Sequence, residues 1–215
     1  MQVRTIEASV HGRYLLEGPA DAPLLLGFHG YGEDAEAQLD RLRGIATREP
    51  WQLCSVQGLS RFYRAKGQHV VASWMTRQDR EQTIDDNLTY VKRVLDALAG
   101  EGRLSDTVVA TGFSQGVAMA YRAAAKSLAR CSGIVAVGGD LPPELGSDPD
   151  RRWPPILIAR GESDEWYTAE KLESDERALA GQRAELEART YVCGHEWAAE
   201  ISEAAGHFLD RVRHG

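Results

Sequence analysis

At 215 residues, the chain is long enough to bury a well-formed core within one domain, and one domain over residues 1–215 is expected. Its formal charge of −7 argues against a nucleic-acid or anionic-membrane partner, since both need clustered Lys and Arg. No apolar run is long enough to insert across a membrane, the opening MQVRTIEASVHGRYLLEG lacks the apolar stretch of a signal peptide, and Cys54, Cys131 and Cys193 show neither a disulfide framework nor zinc spacing. The expectation is a reduced, cytoplasmic protein with no metal and no cofactor.

The chain opens with strand-like stretches at residues 2–8 and 12–17. A turn signal at His11-Gly12 joins them with no helix between, which predicts a β-hairpin. Further strands are expected at residues 23–28, 51–57, 107–113, 133–137, 155–160 and 186–192. Runs such as PLLLGF, TVVATGF and SGIVAV are apolar on both faces, as central strands covered by helices must be. Helices are expected at residues 34–48, 81–99, 115–129, 168–181 and 197–212. In the second of these, Ile84, Leu88, Val91, Leu95 and Leu98 recur at helical spacing with charged residues between them. Residues 58–81 read as a long connection without regular structure, and residues 138–155 as one long loop. The alternation implies an α/β fold with a mostly parallel central sheet and helices on both faces. In such sheets ligands bind at the carboxyl ends of the strands.

One strand end carries a specific pattern. In GFSQGVAMAYRAAA, Gly112, Ser114 and Gly116 form Gly-x-Ser-x-Gly at the boundary between a buried strand and an Ala-rich helix. In a nucleophile elbow the serine takes a strained backbone position and the glycines remove side chains that would collide with neighbouring elements. A plain helix cap is the alternative reading, and the partners decide between them. A nucleophilic serine needs a base, and the base needs an orienting acid.

Six histidines compete for the first role. His11 and His69 lie in turn or loop sequence, His207 lies within the last helix, His214 is near the end, and His29 precedes the serine at the end of an early strand. His195, in YVCGHEW, stands just past the last strand, on the edge that would carry Ser114. Asp140 and Asp164 both end strands between the two. Asp164 gives the order Ser, Asp, His expected of an α/β-hydrolase elbow, whereas Asp140 beside Leu-Pro-Pro suits a turn. An oxyanion hole needs backbone N–H groups, which Gln115 supplies after the nucleophile and Tyr31 supplies from the tight turn of HGYGED, with His29 holding that loop.

The strings FHGYGED, TGFSQGVAMA, GESD and GHEW together resemble the phospholipase/carboxylesterase family of small serine α/β-hydrolases, which includes acyl-protein thioesterases and is related to the dienelactone hydrolases. The resemblance runs from about residue 20 to the last helix. It implies an α/β-hydrolase fold without a large lid domain, Ser114 as nucleophile, Asp164 as acid and His195 as base. It also implies a small-molecule ester or thioester substrate. Lactone hydrolysis, and a non-catalytic ligand-binding protein on the same fold, are the alternatives.

On the substrate side, the connection 58–81 carries Phe62, Tyr63 and Trp74 with Arg61, Arg64 and Lys66, in a region that borders the acyl site in the family. Tyr63 and Trp74 are therefore candidate substrate contacts, although Trp74 also suits packing of the loop against the sheet. Small aliphatic residues and a proline usually follow the acid in the family. Here Trp166 and Tyr167 stand in their place, either narrowing the pocket toward short or flat acyl groups or packing outward. Cys193 reads as a buried strand-end residue.

Overall fold

The computed structural model describes residues 1–64 and 67–214. Seven strands form one sheet: β1 (Arg13–Glu17), β2 (Leu24–Phe28), β3 (Gln52–Gln57), β6 (Val108–Phe113), β7 (Gly133–Val137), β8 (Ile156–Gly161) and β9 (Leu186–Tyr191). Their order is β1-β3-β2-β6-β7-β8-β9, and every pairing is parallel except β1 with β3. Strands β2, β6, β7 and β8 are buried along their whole length, which their two-sided apolar sequences require. All six major expected strands from residue 23 onward are present within a residue of their expected ends.

Helices cover both faces. Helices α1 (Ala35–Ile45) and α6 (Ala199–His214) bury Leu39, Leu42, Ile201, Phe208 and Leu209 against one face of the sheet. Helices α2 (Arg80–Gly100) and α3 (Gln115–Lys126) bury Ile84, Val91, Leu98, Met119 and Ala120 against the other. A short α4 (Pro143–Gly146) and α5 (Ala169–Gly181) extend that second layer over β7 and β8 through Leu141, Leu145, Tyr167 and Leu179. This is the mostly parallel α/β architecture that the alternation demands, with no large additional domain among the described residues.

Two expectations fail. Residues 2–8 form no strand and are exposed, so there is no N-terminal hairpin. β1 instead crosses the intervening β2 and pairs antiparallel with β3, from Arg13 opposite Gln57 to Glu17 opposite Leu53. Val3 and Ile6 lie three residues apart, so they would face opposite sides of a strand, and both are exposed.

The connection 58–81 is also more regular than expected. It holds a two-stranded ribbon, β4 (Ser60–Tyr63) with β5 (Val70–Ser73), whose strand ends pair Tyr63 with Val70. No tight two-residue Gly turn signals it, because its loop is longer. Lys66 lies outside the described residues. An isolated bridge from Glu33 to Ala72 ties the ribbon to the loop after β2.

Candidate active site

The parallel order places the ends of β2, β6, β7, β8 and β9 along one edge of the sheet, and the site lies there. Ser114 follows β6 in the conformation φ 52, ψ −120, one of three non-glycine residues with positive φ among the described residues. Such a position costs about 1–3 kcal/mol and persists only where its surroundings enforce it. They do so here by leaving no space for side chains. A Cβ on Gly112 would lie 2.4 Å from Gly116 O, one on Gly116 would lie 2.1 Å from Phe28 O, and one on Gly139 would lie 2.3 Å from Ser114 O. The Ser114 N–H donates to Val137 O at 2.9 Å, fixing the turn to β7.

Ser114 stands where a serine would cap α3, yet its hydroxyl makes no capping bond. Ser114 Oγ lies 2.8 Å from His195 Nε2, and His195 Nδ1 lies 2.8 Å from Asp164 Oδ2. The Asp164 carboxylate is an acceptor only, so Nδ1 carries the proton and Nε2 is free to accept from the serine. Asp164 is 5 % exposed, and its other oxygen accepts the N–H groups of Trp166 at 2.8 Å and Tyr167 at 2.9 Å. A buried carboxylate held by two N–H groups and an imidazole is fixed in direction. Asp140, the other acid considered, is half-exposed and paired with Lys171 at 3.1 Å.

His195 is supported by an aromatic neighbour as well. Its ring packs on Phe113 with centroids 5.1 Å apart, and the Arg41 guanidinium sits 4.2 Å from the centroid of the Phe113 ring. Arg41 in turn grips Glu33 through two hydrogen bonds of 2.6 Å. Burial raises the Glu33 pKa, but the Arg41 bonds and charge together outweigh it and hold the carboxyl below its usual range. Glu33 Oε2 accepts the Gly30 N–H at 2.8 Å, so this chain of contacts ends in the loop after β2.

That loop is the expected oxyanion loop. His29 is fully buried; its Nδ1 donates to Gly30 O at 2.7 Å and its Nε2 accepts from Gly58 N–H at 3.0 Å. Burial lowers its pKa, consistent with a neutral ring serving as both donor and acceptor. Among the described residues, the N–H groups of Tyr31 and Gln115 have no intramolecular acceptor. The Gln115 side chain anchors the neighbouring segment: its Oε1 accepts Trp74 N–H at 2.9 Å and its Nε2 donates to Met75 O at 3.0 Å.

The four substrate-side residues divide. Trp74 is fully buried, donates its indole N–H to His29 O at 2.8 Å and packs edge-on to Phe28, so the expectation that it contacts substrate is not met. Tyr63 is exposed on the ribbon and does not line the cavity beside Ser114; its neighbour Phe62 instead packs on Tyr31. Trp166 and Tyr167 do line that cavity. Trp166 is 73 % exposed at its rim, whereas Tyr167 is buried with its hydroxyl donating to Asp175 Oδ2 at 2.9 Å. Cys193 is half-buried rather than buried, and desolvation with nearby carboxylates raises its thiol pKa.

The cavity occupies about 720 Å³ between α3 and α5 and reaches Ser114, Gln115, Gly138 and Gly139 at one end. Sequence reasoning passed over Gly138 and Gly139, treating them as part of a loop. Gly138 has φ +63, and a Cβ there would lie 3.3 Å from both Asp164 Oδ2 and His195 Cε1. A Gly-Gly pair directly after a central strand was the available signal.

Comparison with known proteins agrees with the fold. Residues 17–212 match the family model described as Phospholipase/Carboxylesterase, and the chain belongs to that family. A putative esterase, NocK, of Nocardia uniformis subsp. tsuyamanensis is 30 % identical over 154 residues, covering 68 % of this chain and 41 % of that protein's own length. In three dimensions the chain is similar to the Bacillus cereus carboxylesterase, with a TM-score of 0.73, 19 % identity and 94 % of each chain covered. It is also similar to Zea mays acyl-protein thioesterase 2, with a TM-score of 0.70, 18 % identity and coverage of 94 % and 99 %.

Proposed function

We propose that the protein is a serine hydrolase of carboxylic esters or thioesters with short or medium acyl chains, working through an acyl-enzyme on Ser114. The observation that carries this reading is the unbroken hydrogen-bonded line from Asp164 through His195 to Ser114, with the serine in a strained elbow. As Ser114 Oγ attacks the ester carbon, its proton passes to His195 Nε2 and the carbonyl oxygen takes the negative charge. The N–H groups of Tyr31 and Gln115 stabilise that charge, the Gln115 group with the help of the α3 N-terminus. The tetrahedral intermediate collapses as His195 returns the proton to the leaving oxygen or sulfur. Water, deprotonated by the same nitrogen, then releases the acid and restores Ser114.

Trp166 at the cavity rim and Tyr167 in its wall bound the space for the acyl chain in this reading. The three free cysteines favour a reducing, cytoplasmic setting. Among the described residues no helix is long and apolar enough to cross a membrane. Treatment with a fluorophosphonate probe should label the wild-type protein at Ser114 and leave Ser114→Ala unlabelled. Equal labelling of the two would overturn the assignment. Tight ligand binding without turnover of any p-nitrophenyl ester or thioester would favour a non-catalytic binding protein.

A further inference from the structure

The cavity beside Ser114 contains a cation that nothing in the catalytic reading uses. Ser114, Ala118 and Arg122 all line it and are spaced four residues apart, so they share one face of α3. Arg122 is fully buried. Its Nε donates to Glu144 Oε1 at 2.8 Å, and Nη2 lies equally close to that oxygen without hydrogen-bond alignment. Nη1 and Nη2 are themselves buried in the cavity wall and have no hydrogen-bond acceptor among the described residues. A buried guanidinium with two unmatched nitrogens is costly unless something accepts from it. Arg80, the first residue of α2, lines the same cavity, is exposed and has no ion-pair partner among the described residues. Glu144 and Asp85, both exposed, are the carboxylates that act most on Arg122, and Asp140 and Asp175 also line the cavity. The remaining cation of the cavity, Lys171, is occupied by Asp140 and by Trp166 O.

We infer that the Arg122–Arg80 end of the cavity receives an anionic head group, a carboxylate or phosphate, at the far end of the substrate's acyl half. In this proposal the acyl half lies in the cavity, which runs from Ser114 along α3 to Arg122. The length follows from the helix. Eight residues at ~1.5 Å each set Arg122 about 12 Å beyond Ser114 along the axis. Its side chain leans back toward the N-terminus, shortening the gap an acyl chain must bridge. A medium-length chain ending in an anion fits that gap, with the guanidinium N–H groups donating to its oxygens in the planar geometry that favours carboxylate and phosphate.

The catalytic half of the test rests on the hydrolase reading; the binding half does not. In the first, kcat/KM is measured for p-nitrophenyl hydrogen suberate and for its neutral counterpart, p-nitrophenyl octanoate. The wild type should prefer the anionic ester by about 10-fold or more, the scale of a charge-assisted hydrogen bond, and Arg122→Gln and Arg80→Gln should each erase most of that ratio. A wild-type ratio of one or less, or a ratio that neither substitution changes, overturns the proposal. In the second half, the thermal midpoint of Ser114→Ala is followed with suberate, octyl phosphate and octanamide. Stabilisation by either anion but not the amide, lost when Arg122→Gln or Arg80→Gln is added, supports the site and shows which anion it prefers. No stabilisation by either anion overturns it, even if no ester is hydrolysed. Arg80 is exposed at a helix start, so its variant keeps the test decisive should Arg122→Gln fail to fold.

Discussion

The two sides of Ser114 differ in how completely their polar groups are matched. On the β2 side, both ring nitrogens of His29, the Trp74 indole, the Gln115 amide and the Glu33–Arg41 pair are all engaged, tying the loop carrying Tyr31 to Gly58 and to the segment at Trp74 and Met75. On the α5 side lies the open cavity, where Arg122 has two unmatched nitrogens and burial raises the Asp175 pKa to about 6. The lesson is a division of labour. Groups that must be in place before any substrate arrives are saturated within the protein, which is how preorganisation is achieved. Arg122, left incomplete, lines the volume that a substrate would fill, whereas other unmatched groups such as Gln52 Oε1 and Tyr191 Oη belong to residues away from it.

Asp164 joins the two sides, and breaking it gives the largest expected effect. Asp164→Asn should lower kcat by about 10⁴-fold for any ester turned over, because the amide presents an N–H to His195 and favours the wrong tautomer. Should Asp140→Asn produce that loss instead, the acid has been misassigned. The saturated side is tested next. Trp74→Phe removes the bond to His29 O while keeping most of the ring volume, and should destabilise the fold by about 1–3 kcal/mol in urea unfolding. A smaller change would mean that the β2 side tolerates an unmatched carbonyl and is less tightly built than its bonding suggests.

The smallest expected effect concerns Asp175 on the open side. Burial is the main reason its pKa is raised from 3.8, with Asp140 adding to it, while Leu141 N–H, the Tyr167 hydroxyl and Lys171 act the other way. With the folded value above the unfolded one, its contribution is fully present below about pH 4 and is lost as pH rises through about 6. The urea midpoint of the wild type should therefore fall relative to that of Asp175→Asn across that window. Parallel midpoints for the two proteins from acid to neutral pH would show that the carboxyl ionises without cost.

Legibility followed the locality of each signal. The elbow at Gly112, Ser114 and Gly116 could be read because its constraint lies within five consecutive residues. The placement of His195 and Asp164 at strand ends followed from an apolar alternation that is equally local. The hairpin predicted around His11-Gly12 failed because β1 finds its partner at β3, some forty residues on, and no feature of residues 2–17 records that. Trp74 looked like a pocket residue for a related reason: an aromatic in a long connection carries no mark of which way it faces.

From sequence alone came the α/β architecture, the elbow, and the placement of Ser114, Asp164 and His195 at strand ends, because backbone constraint and hydrophobic period are written in neighbouring residues. Only the tertiary structure decided that Trp166 stands at the rim while Tyr167 is buried beneath it. It alone showed that Gly138 leaves room for the Asp164–His195 pair, and that Arg122 reaches the same cavity as Ser114. Those facts depend on which faces of α3, α5 and the strand-end loops meet. That is settled by packing between segments far apart in the chain, where the sequence of either one is silent about the other.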